Sequence, residues 1–191
     1  MPAAGSPNWN RLYEMASGQD GHVTTQQAAE AGYSPQLLRK HIQAGRISRV
    51  RRGVYRLVHY PAGEHEDLVV IWLWSERQGV FSHQTALGLH GLSDVLPSKI
   101  HLSVPASWSS RRLRVPTGVI VHHADIPKGE RSWFGAVPVT SPFRTLQDCS
   151  RDKISPELLQ QAARDALARG LVGKRELGEV RRALRSRGPA A

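Results

Sequence analysis

The run from residue 34 to residue 57 constrains this chain more than any other part of it. Ser34-Pro35 is a helix start, with a hydroxyl to cap a free N–H and a proline suited to the first helical position. Gly45 is the matching stop. Between them Leu38 and Ile42 lie four apart and share an inward face, with Leu37 at its edge, while Gln36, Arg39, Lys40 and Gln43 fall outward. After the stop, Ile47 and Val50 precede a turn at Arg51-Arg52-Gly53, and Val54, Tyr55 and Leu57 follow it. That pattern predicts a β-hairpin with a basic tip, and Tyr55 reads as packing at its root.

Upstream, Trp9, Leu12 and Tyr13 or Met15 are spaced to face one core, which predicts a helix over 9–16. His22-Val23 reads as a brief strand. Thr24-Thr25 offers an N-cap for a second helix that Gly32 ends. Helix, short strand, helix, tight turn, helix and hairpin is the order of a winged helix-turn-helix, in which the last helix enters the major groove and the hairpin lies beside it.

Charge distribution agrees with this order. The 191 residues carry a net charge of +10. Residues 1–63 hold eight Lys/Arg against three Asp/Glu, 64–150 hold eight of each, and 151–191 hold ten against five. From Ala31 to Gly63 there are seven Lys/Arg and no acid. Such a field attracts a polyanion. Gln36 and Arg39 are placed to reach base edges, since Gln pairs with adenine and Arg with guanine. Lys40, His41, Gln43 and Arg46 are placed for phosphate, as are Arg49, Arg51, Arg52 and Arg56 along the wing. Thr24, Thr25 and Ser34 sit at helix starts, where hydroxyls and N–H groups meet anions. Two further basic clusters, Arg111, Arg112 and Arg114 in a loop and Arg181, Arg182 and Arg185 near the end, are candidates for secondary contacts with DNA or with an acidic protein.

Tyr60-Pro-Ala-Gly63 reads as a linker, so the expected domains are a winged helix over 1–60 and a second domain over 64–191. The second carries predicted helices over 65–78, 82–89, 142–150, 156–170 and 174–185 and strands over 99–104, 115–123 and 135–140. The fold class is α+β: an N-terminal winged helix-turn-helix, then a mixed α/β domain with a small sheet and C-terminal helices.

Enzyme signatures are weak. His83 and His90 are seven apart on one predicted helix, and His122-His123 point to opposite faces of a strand, so no pair has a tight metal spacing. The acids of 64–150 are scattered rather than clustered for a divalent ion. Cys149, the only cysteine, lies in an apolar helix and reads as a buried thiol. No G-x-S-x-G elbow or phosphate-binding G-x-x-x-x-G-K-[ST] loop is present. No catalytic residue, metal or cofactor is expected. With no signal core and no apolar run long enough to span a bilayer, the expected location is the cytoplasm, away from membranes.

The segments Gly21–Ser34 (GHVTTQQAAEAGYS) and Gly45–Leu57 (GRISRVRRGVYRL) resemble the N-terminal domain of AbiEi-type antitoxins of type IV toxin–antitoxin systems. Ser82–Leu92 (SHQTALGLHGL) and Pro138–Asp148 (PVTSPFRTLQD) resemble the C-terminal domain of that family. The resemblance implies a non-enzymatic repressor that binds repeats in its own promoter, as a monomer or weak dimer on double-stranded DNA. It also implies neutralisation of a nucleotidyltransferase-like toxin. Two alternatives stand beside it: a protein-interaction module that meets the toxin directly, and a stand-alone regulator related to proteins with an endonuclease domain.

Overall fold

A computed structural model describes residues 6–92, 97–152 and 154–185. The chain divides into two compact units, Met1–Arg77 with Gly135–Val137, and Gln78–Phe134 with Pro138–Ala191.

In the first unit, α1 (Trp9–Ser17), β1 (His22–Thr24), α2 (Thr25–Glu30) and α3 (Pro35–Gln43) lead into the hairpin of β2 (Ile47–Arg51) and β3 (Val54–Leu57), and α4 (Glu66–Trp74) closes the unit. The three strands form one sheet in the order β1-β3-β2, with both pairings antiparallel. Side chains alternate across it. Val23, Ile47, Tyr55 and Leu57 join Leu12, Ala16, Ala28, Tyr33 and Leu38 in one core on the face that meets α1 to α3. The other face holds His22 and Arg56, with Glu66, Val70 and Ile71 of α4 beside them. That second cover explains why Leu68 to Leu73 are all buried: α4 is apolar around most of its circumference. The periodicity predicts a helix to residue 78, but α4 stops at Trp74 because Glu76 and Arg77 turn left-handed, at φ 56° and 62°. At Gly21, φ is +80° and a Cβ would lie 2.7 Å from the Tyr60 side chain, so only glycine lets the chain pass there.

The second unit holds β4 (Val80–Phe81), α5 (His83–Leu89), β5 (Ile100–Val104), β6 (Val119–His123), β7 (Arg131–Phe134), all of β8 (Val137–Thr140) but its first residue, α6 (Pro142–Arg151), α7 (Pro156–Ala168) and α8 (Lys174–Arg185). Its sheet runs β6-β5-β4-β8-β7, antiparallel at β4–β5 and parallel at β5–β6 and β4–β8. Leu87, Leu146, Leu159, Ala162, Leu177 and Val180 build a helical core among α5 to α8. Ser141 and Ser155 cap α6 and α7, each followed by proline. The expected strand over 115–123 begins only at Val119, since Gly118 at φ +81° makes the turn that hands its carbonyl to Ile100 N–H. β4 and β7 have no counterpart in the sequence reading. Among the described residues, no helix is long and apolar enough to cross a membrane.

Candidate nucleic-acid interface

The Ser34 hydroxyl accepts from Leu37 N–H at 3.2 Å, Pro35 follows, and Gly45 at φ +68° ends the turn after α3. Leu38 is 2% exposed and fixes the helix to the core. Gln36, Arg39, Lys40 and Gln43 are consequently all exposed along the opposite side.

Helix α2 is held by a capping box. Thr24 Oγ1 accepts from Gln27 N–H at 3.2 Å, and Gln27 Oε1 accepts from Thr24 N–H at 2.9 Å. Thr25 joins this motif to the wing: its N–H donates to the Gly53 carbonyl at 2.9 Å and its hydroxyl to the same oxygen at 3.4 Å. Gly53 itself needs φ +79° to make the tip of the hairpin. The wing is therefore bonded to the start of α2 rather than free to swing.

Between the wing and α3 lies a concave surface of about 250 Å³ lined by Thr25, Pro35, Leu38, Arg39, Ile42, Arg49 and Tyr55. Two cations, Arg39 from α3 and Arg49 from β2, border it, and Arg46 and Arg52 are exposed at either end of β2. The acid-free stretch thus places exposed cations on α3 and the wing with no carboxylate in its own sequence to neutralise them.

Three expected contacts are placed differently. Arg56 turns inward: its Nη2 and Nε donate to Glu66 Oε1 at 2.8 and 3.0 Å, and its remaining N–H groups donate to the carbonyls of Leu57, Val58 and Tyr60. Burial pushes Glu66 upward, but the Arg56 hydrogen bonds and the Gly63 N–H outweigh it and hold the carboxyl below its ordinary value. A guanidinium so fully engaged is a structural bridge from β3 to α4. Arg51 is also turned away. Arg49 pairs with Tyr55 and Arg51 with Val54, so Val50 is the extra residue of a β-bulge. The bulge cancels the alternation that would put Arg49 and Arg51 on one face, and Arg51 lines a cavity with Glu66, Asp67 and Val70 instead. His41 stacks on Trp9 at 5.7 Å and meets Tyr33 edge-on at 5.3 Å. Burial, aided by Arg46, lowers its pKa, and its ring packs between α3 and α1.

Of the secondary clusters, Arg111, Arg112 and Arg114 are exposed, and the Arg111 guanidinium lies 4.0 Å above the Trp108 ring. Arg182 is exposed on α8; the side chains of Arg181 and Arg185 lie outside the described residues. Cys149 is fully buried, and burial pushes its thiol upward, away from the thiolate a nucleophile needs.

Residues 10–58, all within the first unit, match the sequence model of a family described as "Transcriptional regulator, AbiEi antitoxin". A search of curated proteins gives no match. Among solved structures, the crystal structure of the RV2827C protein from Mycobacterium tuberculosis is similar, at a TM-score of 0.53 and 17% identity, covering 94% of this chain and 74% of that one. At that identity the likeness is one of fold.

Proposed function

From the match of its residues 10–58 to the AbiEi antitoxin regulators, we propose that this chain is a transcriptional regulator whose first unit binds duplex DNA, with α3 in the major groove and the wing against the backbone. The observation that carries the proposal is the concave surface shared by Thr25, Arg39 and Arg49, with Arg39 presented from the exposed side of a helix whose other side is buried. A helix held this way fits a major groove about 12 Å wide. The target is the promoter of its own operon. The second partner is a nucleotidyltransferase-like toxin, met by the second unit.

Fluorescence anisotropy on a duplex from the region upstream of the gene tests the DNA half. Arg39→Ala is expected to cost about 1–3 kcal/mol on the preferred sequence and to relax discrimination at one base pair. Arg49→Ala and Arg52→Ala should weaken all sequences to a similar degree. Arg56→Ala should lower the melting temperature and leave the affinity of the folded protein unchanged. Equal affinity of the Arg39, Arg49 and Arg52 variants to the parent would defeat the reading. Co-purification of a nucleotidyltransferase-like protein with this chain, tested separately, addresses the second partner.

A further inference from the structure

Three histidines that play no part in the DNA-binding surface come together in the second unit. His83 is the first residue of α5, His101 lies on β5 and His122 on β6. One ring nitrogen of each lies within 4.8 Å of the others. His101 Nδ1 and His122 Nε2 are 3.0 Å apart. The His83 and His122 rings stack at 3.7 Å with planes 12° apart. We propose that His83, His101 and His122 form a binding site for one divalent transition-metal ion of the zinc class.

The arrangement is built rather than incidental. In the parallel pairing of β5 and β6, His122 lies opposite Ser103, two residues from His101, so all three residues stand on one face of the sheet. The backbone of His101 is fixed on both sides, its N–H donating to Thr85 Oγ1 at 2.8 Å and its carbonyl accepting from Ser82 N–H at 3.1 Å. His83 Nδ1 is 2.9 Å from Ser82 Oγ, which accepts from Ser103 Oγ at 2.8 Å. With Nδ1–H donating to that serine, His83 presents Nε2 as its free lone pair, the second-layer arrangement that sets the tautomer of a ligating imidazole.

Ligand chemistry selects the ion. Zinc bonded to imidazole nitrogens at about 2.0–2.1 Å separates those nitrogens by roughly 3.4 Å, a spacing between the 3.0 Å pair and the 4.8 Å limit seen here. Three neutral nitrogen donors suit zinc, cobalt, nickel or copper and not magnesium or calcium, which require oxygen. His101 is buried while His83 and His122 are half-buried, so an ion reaches the cluster from solvent. Two carboxylates lie in the neighbourhood of His122, Asp148 and Asp152; Arg144 holds Asp148 by Oδ1, while Asp148 Oδ2 is buried with no hydrogen-bond partner. Three imidazoles leave a fourth position for water or a carboxylate. An ion held there ties the edge strand β6 to β5 and to the start of α5.

Calorimetric titration of the full, tag-free chain with zinc chloride, after removal of metal with a chelator, tests the site. One equivalent is expected to bind, and magnesium should not compete. His122→Gln should weaken binding by roughly 100-fold or more, since loss of an outer hydrogen-bond partner alone costs about 10–100-fold. His123→Gln, the exposed neighbour on the same strand, should bind as the parent does. On the unaltered protein, zinc should shift the ring-nitrogen NMR resonances of His83, His101 and His122 and leave those of His59 and His90 in place, a readout that needs no variant to fold. No bound equivalent, parental affinity in His122→Gln, or unmoved resonances of the three rings would overturn the proposal.

Discussion

Affinity for duplex DNA is expected to fall roughly 100-fold or more between 50 and 200 mM salt, because each phosphate contact releases counterions and contributes about −0.9 to the slope of log K against log salt. With Arg39 on a base edge, Lys40, Arg46, Arg49 and Arg52 remain as exposed cations on α3 and the wing. Four phosphate contacts give a slope of about −3.6, and a fourfold rise in salt then costs about 150-fold. Arg56 is left out of that count because Glu66 and three carbonyls occupy it, and Arg51 because the bulge at Val50 turns it to the other face. Salt titrations by anisotropy check the number. Arg52→Ala should reduce the magnitude of the slope by about one. A nearly flat salt profile would mean that α3 and the wing do not meet the backbone.

The second large effect concerns stability. Arg144→Ala is expected to destabilise the second unit by about 3–5 kcal/mol, since it strands a buried carboxylate. Arg144 Nε donates to Asp148 Oδ1 at 2.8 Å, and the side chains are only 14% and 6% exposed. Arg144 Nη1 also donates to Glu130 Oε2, so one guanidinium joins α6 to the segment before β7. Burial raises the Asp148 pKa and the Arg144 hydrogen bond opposes that rise; without Arg144 only the longer-range charges of Arg151 and His122 still oppose it. Adding Asp148→Asn to Arg144→Ala should recover much of the loss, a non-additivity that a double-mutant cycle in urea measures. A loss below about 1 kcal/mol for Arg144→Ala would show that the pair contributes no more than a surface contact.

Much of the first unit is legible in the sequence because its signals are local. Ser34-Pro35 with Gly45 bounds α3, Thr24-Thr25 starts α2, and Gly53 turns the wing; each acts within four residues of itself. The exposed side of α3 follows from Leu38 and Ile42, four apart on its inward face. What escaped the reading depends on pairing at a distance. Glu66 captures Arg56 from ten positions away, across the Tyr60–Gly63 segment that reads as a linker. The bulge at Val50 leaves no mark, because one extra residue in a strand of arginines and valines does not alter composition. A two-residue strand, β4, is too short to show alternation, and β7, with Trp133 68% exposed, presents no apolar face to read. The histidine cluster draws one residue from each of three elements, so spacing within any one element holds no metal-ligand pattern.

The most direct test of the central claim is a residue-resolved NMR titration of the full chain with a duplex from its own upstream region. If α3 enters the groove and the wing lies on the backbone, the backbone amides of Ser34 to Gln43 and of Arg49 to Gly53 shift and broaden together, while those of Arg56 and of α4 move little. Shifts confined to the second unit, or to α4 and the Arg51 side of the sheet, would contradict it.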